Sequence, residues 1–340
     1  MLKTGAYTSI AFLSSRRRRG AIMSEHIQPR AQAEVSERIL DKTDLGTCRR
    51  AFIRALGLGT VGAAILGAGS PDAALAQGAP ADISDIDIVQ FALNFEYLGA
   101  EYYLRSVNGA GLQAGDIDGV GGIGTVSGGR QVPFSDTLVR KLAFELAADE
   151  EAHVRTLRAA LPPSARNGRP QLDLDFAFTF AARSAGLVGP NDRFDVYAND
   201  NNFLLGAFLL EDVCVTALIG SAPFIKDKGV LATAAGFLGT EAYQAGAIRT
   251  LLYTRGLIYQ ANAISNARDA LDGNTDLDQG ISGDQSATPG FSSNDANLVP
   301  ADRNSLAFGR TFGQVLDIAY LNTTQSPGGF FPQGVRGRLR

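Results

Sequence analysis

Four stretches of the chain repeat apolar residues with the 3.6-residue period of a helix, and none of the four shows the two-residue alternation of a strand. The first starts behind Ser84, an N-cap residue followed by Asp85 and Asp87 in the first turn. It runs to about Val107, with Val89, Ala92, Leu93, Gly99, Ala100 and Tyr103 on one face. The second, from about Ser135 to Leu161, turns Ala143, Leu146, Ala147, Val154 and Leu157 to one side and is stopped by Pro162 and Pro163. The third spans about Asp200 to Ile219, with Leu204, Ala207, Phe208, Cys214, Val215 and Leu218 sharing a face. The fourth follows a turn at Ala222 to Gly229, ends near Arg255, and carries Phe237, Leu238, Ala245 and Ile248 inward.

The connections order these helices. A glycine-rich loop from Asn108 to about Arg130 joins the first pair, and the Ala222–Gly229 turn joins the last pair. Between helices two and three, residues 164–197 form a long connection with a short helix near Phe176 to Ser184. This is the connectivity of an all-α four-helix bundle with a single long crossover. A core bundle over about 84–258 is expected, with a C-terminal extension over about 259–335: a helical stretch to about Leu271, a loop from Asp272 to Asp302, and a short amphipathic helix from Ser305 to Leu321. The Arg336-Gly337-Arg338 stretch reads as a loose basic tip.

Each apolar stripe is interrupted by a polar side chain at its centre. These are Glu96 on the first helix, Glu150 with His153 on the second, Glu211 on the third, and Glu241 with Gln244 on the fourth. Residues three apart project from one side of a helix, so all six face the core. Burying ionised carboxylates without partners costs several kcal/mol apiece or forces them to neutralise. Divalent cations are one set of partners. Four carboxylates compensate two such ions, and imidazole adds a nitrogen donor suited to iron or manganese. One Glu from each of two helices and a Glu-x-x-His from each of the others is the dinuclear scheme, matched here except that Gln244 stands at the sixth position. A weaker, neutral amide oxygen there is expected to hold the second metal less tightly, or to leave it absent in some conditions. The competing reading keeps the glutamates protonated or hydrogen-bonded to tyrosines such as Tyr103. Glu101, Glu145, Glu151 and Asp212 fall off the inner stripes and read as surface charges, and Cys214 reads as a small core residue. Asp272, Asn274, Asp276 and Asp278 mimic the start of a calcium loop. Leu277 and Gly283 break that motif, so a solvated loop is expected.

Charge separates a leader from the body. Residues 1–76 hold 11 Lys+Arg against 6 Asp+Glu, and the remainder holds 20 against 29. No basic stripe with interleaved aromatics follows residue 76, so no nucleic-acid partner is expected. Arg49 and Arg50 precede an apolar run from Ala55 to Ala68, then Ala74-Leu75-Ala76. That order describes a signal peptide of the twin-arginine type, cleaved near Ala76. The apolar run is shorter than the roughly 20 residues a spanning helix needs, so stable membrane insertion is not expected. The expected partners are therefore metal ions and the twin-arginine export machinery, with an exported, periplasmic or extracellular mature chain. Met1 and Met23 both stand as candidate starts. Cys48 lies in the leader, which leaves Cys214 without an intrachain disulfide partner.

The stretches Phe91 to Leu98, Asp149 to Val154, Phe203 to Val213, Glu241 to Arg249, and Gly328-Gly329-Phe330-Phe331-Pro332 resemble the ferritin-like, desiccation-related protein family. The similarity covers roughly residues 84–335. It implies a ferritin-like bundle whose ligand positions fall on Glu96, Glu150, His153, Glu211 and Glu241. Gln244 stands where the family usually shows His, and Cys214 where it usually shows Gly. The resemblance implies the fold more firmly than the reaction; the donor set points to iron or manganese, and any catalysis would be redox of the ferroxidase or peroxide type. A non-enzymatic stress or desiccation role with a vestigial site is the alternative.

Overall fold

The computed structural model describes residues 82–283 and 295–340. The leader and its export signal lie outside the described residues. Among these there are eight α-helices: α1 (Asp85–Asn108), α2 (Ala114–Ile117), α3 (Thr137–Ala160), α4 (Phe176–Ser184), α5 (Asp200–Ser221), α6 (Lys228–Thr254), α7 (Ile258–Asp272) and α8 (Phe312–Tyr320). Two short parallel strands, β1 (Val126–Ser127) and β2 (Leu172–Asp173), tie the glycine-rich loop to the crossover.

The long helices start where the sequence places caps. Ser84 forms a capping box with Asp87, and the Asp136, Asn199 and Asp227 side chains accept first-turn N–H groups of α3, α5 and α6. Such caps satisfy donors that the helix itself leaves orphaned. The bundle consists of two hairpins, α1 on α3 and α5 on α6, with α1 also packed against α5. A 3₁₀ turn over Ala222–Phe224 makes the α5–α6 connection tight. The crossover between α3 and α5 is long and carries α4, as the connection lengths imply.

The C-terminal extension changes what "outside" means for α5. Helices α7 and α8 cover α5 and pack on each other, so α5 is buried nearly all round. Between α5, α6, α7 and the following segments lie Arg249, Arg268 and Arg310, each 0–1 % exposed. Asp212 takes Arg249 at 2.7 Å and Arg268 at 2.9 Å. Asp278 takes Arg268 and Arg310, both at 2.7 Å, and Asp272 takes Arg310 at 2.7 Å. Asp212 is therefore not a surface charge, and Asp272 and Asp278 belong neither to a calcium loop nor to a solvated one. They are the anions of a buried, charge-balanced network.

Other expectations are also corrected. The last helix begins at Phe312 rather than near Ser305, because Thr311 and Gln314 form its capping box and the preceding segment is held extended by Arg310, whose N–H donates to the Thr216 carbonyl. Gly220 permits that approach, since a Cβ there would sit 1.8 Å from the Arg310 carbonyl oxygen. The C-terminal tip is docked. Asn94 exchanges two hydrogen bonds with the Arg336 backbone, and Val335 and Leu339 are buried. Glu101 is fully buried beneath the glycine-rich loop, paired with Arg169 and Arg105. Glu145 is exposed and Glu151 partly so, the latter bonded to Arg155.

Candidate metal centre

Three of the four bundle helices bring inner side chains into one tight group. Glu96 from α1, Glu150 and His153 from α3, and Glu241 from α6 each contribute a donor atom to a group lying within 4.8 Å of one another. His153 Nδ1 is 3.2 Å from Glu96 Oε2, 3.2 Å from Glu241 Oε1 and 3.8 Å from Glu150 Oε1. Glu211 from α5 lies outside that tight group. Its Oε1 accepts the Tyr103 hydroxyl, buried beneath α1. Gln244, one turn after Glu241, donates its side-chain N–H to Asp149 Oδ2 at 3.0 Å.

Electrostatics at this point is dominated by crowding of like charge away from water. Burial first, with His153 opposing and Glu241 reinforcing, raises Glu96 above its ordinary range. Burial and then the charges of Glu241, Glu96 and Glu211 push Glu150 well up. Glu211 is likewise driven well up by burial and Glu241, against the Tyr103 hydrogen bond. Burial alone would lower His153, but Glu241 and Glu96 outweigh it and carry it to about 10. Without a cation, then, the cluster holds protons: an imidazolium is its internal counter-ion. Burial and Glu241 also push the Cys214 thiol well up, which keeps it neutral, as a packing residue should be.

A cation fits what remains unpaired. Glu96 Oε2, Glu150 Oε1, His153 Nδ1, Glu211 Oε2, both oxygens of Glu241 and Gln244 Oε1 are buried without a hydrogen-bond partner. The His153 contacts are close enough for ionic attraction but are not aligned as hydrogen bonds. Buried polar atoms are normally satisfied, and so many orphans converging on one spot match the oxygen-rich, single-nitrogen donor set of a transition-metal site.

Three further residues shape the cluster: Phe237 and Gly99, which lie on the inner stripes of their helices, and Asp149, which does not. Asp149 sits one residue before Glu150 and so points off the inner face; only the acceptor that Gln244 requires could have flagged it. Phe237 stacks on the His153 ring, with centroids 4.1 Å apart and planes at 27°. Gly99 is where the Glu150 carboxylate passes α1, because a Cβ there would lie 2.2 Å from Glu150 Oε2. Gly99→Ala should therefore leave helicity intact, since alanine favours a helix over glycine by about 1 kcal/mol, yet displace Glu150. We expect circular dichroism unchanged and metal retention well below that of the wild type. Wild-type metal content in this variant would show that Glu150 has no fixed place at the centre.

The comparisons with known proteins agree with this geometry. A family model described as a ferritin-like domain matches residues 84–254, which cover the four bundle helices. The chain is 29% identical over 270 residues to the desiccation-related protein PCC13-62 of Craterostigma plantagineum, spanning 75% of this chain and 84% of that protein. It is also 29% identical over 278 residues to the ferritin-like catalase Nec2 of Nesocodon mauritianus, spanning 76% of this chain and 85% of that protein. No solved structure gives a significant match. With half its length matched by that model and its bundle assembled as described, the chain belongs to the ferritin-like domain family.

Proposed function

We propose that the bundle binds a pair of divalent iron or manganese ions through Glu96, Glu150, His153, Glu211, Glu241 and Gln244, and that the loaded protein acts on peroxide or oxygen after export. The observation that carries this reading is that buried, unpartnered donor atoms of Glu96, Glu150, His153 and Glu241, from three helices, lie within 4.8 Å of one another, with Glu211 Oε2 and Gln244 Oε1 also buried and unpartnered. Bound ions of this kind supply one-electron redox steps at a site shielded from bulk water. The similarity to a ferritin-like catalase favours peroxide: two hydrogen peroxide molecules yield two waters and one dioxygen, with no net proton change. Among the chain's own groups, the Tyr103 hydroxyl keeps its proton against Glu211 Oε1, burial and Glu211 holding its pKa well up, whereas Glu150 and Glu211, raised in the metal-free chain, would release theirs on binding the ions.

The similarity to a desiccation-related protein supports a second reading, in which the bundle serves a stress role through its surface and the centre is vestigial. Metal analysis of the protein isolated from its own cells separates the two. Near-stoichiometric iron or manganese is expected, and metal at trace level only would sink the first reading. Glu150→Ala and His153→Ala should lose metal while keeping helical content; unfolding instead would make these residues structural. Dioxygen release from peroxide by the loaded wild type, and not by these variants, is the expected sign of turnover.

A further inference from the structure

We propose that the pocket where the glycine-rich loop, the crossover and the C-terminal tip meet is a second binding site, apart from the metal centre, for a small hydroxylated organic anion such as a sugar phosphate or a sugar acid. The basic tip, which the metal reading leaves without a task, supplies the charge.

Backbone pairing fixes the floor. The Val120 N–H donates to the Arg166 carbonyl at 2.8 Å and the Gly168 N–H to the Val120 carbonyl at 3.0 Å. The Tyr97 hydroxyl of α1 donates to the Asn167 carbonyl at 3.1 Å. Arg336 ties the tip to that floor, its Nη1 donating to the carbonyls of Val120 at 3.2 Å, Gly168 at 3.1 Å and Gly122. The three segments leave between them a pocket of about 390 Å³, within the size range of small-molecule sites.

The lining is chemically one-sided. Asn167, Gln171, Gln333, Arg336 and Arg340 face the pocket, and no aspartate or glutamate lines it. Arg338, between the two cations, is balanced by Asp82, whereas Arg336 and Arg340 form no ion pair among the described residues. Burial, opposed by Tyr97 and reinforced by Arg169, lowers the Arg336 guanidinium from its ordinary value. It stays charged and lacks the counter-ion that would offset its desolvation. A guanidinium presents a planar fork that matches the oxygens of a phosphate or carboxylate. Asn167 is 4 % exposed, and its Nδ2 has no hydrogen-bond partner. A Cβ on Gly337 would lie 3.4 Å from that nitrogen, which places the amide against the turn of the tip that walls the pocket. The amides of Asn167, Gln171 and Gln333 can each donate and accept, as hydroxyl groups require of their partners. A bare phosphate, the size of a few waters at about 30 Å³ each, would leave most of the volume to solvent. Cations and amides together suit an anion that carries a hydroxylated body.

Calorimetric titration of the metal-free full chain with glucose 6-phosphate, gluconate, inorganic phosphate and glucose tests this. Working without metal keeps the anions from binding ions in the core, so the outcome does not depend on the metal reading. We expect one equivalent of glucose 6-phosphate or gluconate to bind, the tighter of the two identifying the head group. Inorganic phosphate should bind more weakly, and glucose not at all. Arg340→Ala removes an exposed cation and should weaken the organic anion roughly tenfold, the scale of one charge-assisted hydrogen bond. Asn167→Asp keeps the side chain's shape, sets a negative charge at the wall, and should weaken binding at least as much. Circular dichroism should be unchanged in both. Failure of both organic anions to bind overturns the proposal, as does binding that survives both variants, which would put the anion on the basic leader or elsewhere. Glucose binding as tightly as its phosphate also overturns it, because the arginines would then be idle. So does inorganic phosphate binding as tightly as the sugar ester, because the amides would then be idle.

Discussion

Replacing Arg268 by alanine should lower the unfolding free energy of the metal-free protein by roughly 3–5 kcal/mol, the usual cost of leaving a buried ion pair half made. Arg268 is 1 % exposed. It donates to the Phe208 carbonyl at 2.6 Å, to Asp212 at 2.9 Å and to Asp278 at 2.7 Å, and its guanidinium lies 4.6 Å from the Phe208 ring centre. Three arginines and three aspartates balance in this network, so removing one cation strands one negative charge away from water. Asp212 keeps Arg249 and Asp278 keeps Arg310, which places the loss within the ordinary range for buried pairs rather than above it. Arg268→Lys should recover little, because a single ammonium cannot reach both carboxylates and the carbonyl from one position. Denaturant unfolding monitored by circular dichroism provides the measurement. A loss below about 1 kcal/mol, the scale of an exposed pair, would show that the extension is not held to α5 by this network.

That network also marks where reading the chain alone stops. Glu96, Glu150, His153, Glu211 and Glu241 were legible because each interrupts an apolar stripe on its own helix, and a helix's period needs only local sequence to be read. The boundaries of the four bundle helices were legible through caps and prolines, whereas the start of α8 was not, because it is set by the Thr311–Gln314 capping box. Asp212 and Glu101 were not. Each lies off the inner stripe of its helix, roughly 100° round from Glu211 for Asp212 and roughly 140° round from Glu96 for Glu101, on a side that faces water in a bare bundle. Here that side is roofed, by α7 and the Arg310 segment over Asp212 and by the glycine-rich loop over Glu101. Of the cations that neutralise them, only Arg105 stands at a local i,i+4 spacing from Glu101; Arg249, Arg268 and Arg169 come from other elements at no fixed spacing. Gln244 illustrates the same limit from inside the site. Its position on the stripe was local information, but which of its amide atoms faces inward depends on Asp149 of another helix.

Stability of the metal-free protein should fall as pH rises from about 5 toward 10, and bound metal should reverse that trend. His153 is raised from an ordinary 6.5 to about 10. A group whose folded pKa is raised contributes stability fully present below the unfolded value and lost as pH climbs through the folded one, so its share fades between about 6.5 and 10. Glu96, Glu150 and Glu211 are also raised, from an ordinary 4.5, and the sign is the same: the native state holds protons that the unfolded chain has released. Asp278 is lowered, since Arg268 and Arg310 outweigh its burial. Its contribution is lost on acidification, below the window in question. Divalent ions displace the His153 proton and compensate the carboxylates, so loading releases protons and the stabilisation it confers grows with pH. Unfolding midpoints measured by calorimetry in chelator and in saturating manganese, from pH 5 to 9, should diverge as pH rises. His153→Gln should flatten the part of the metal-free curve above pH 6.5, because it removes the imidazolium that Glu96 and Glu241 sustain. Parallel curves with and without metal would mean that the carboxylates are held by the bundle alone and that no cation competes for their protons.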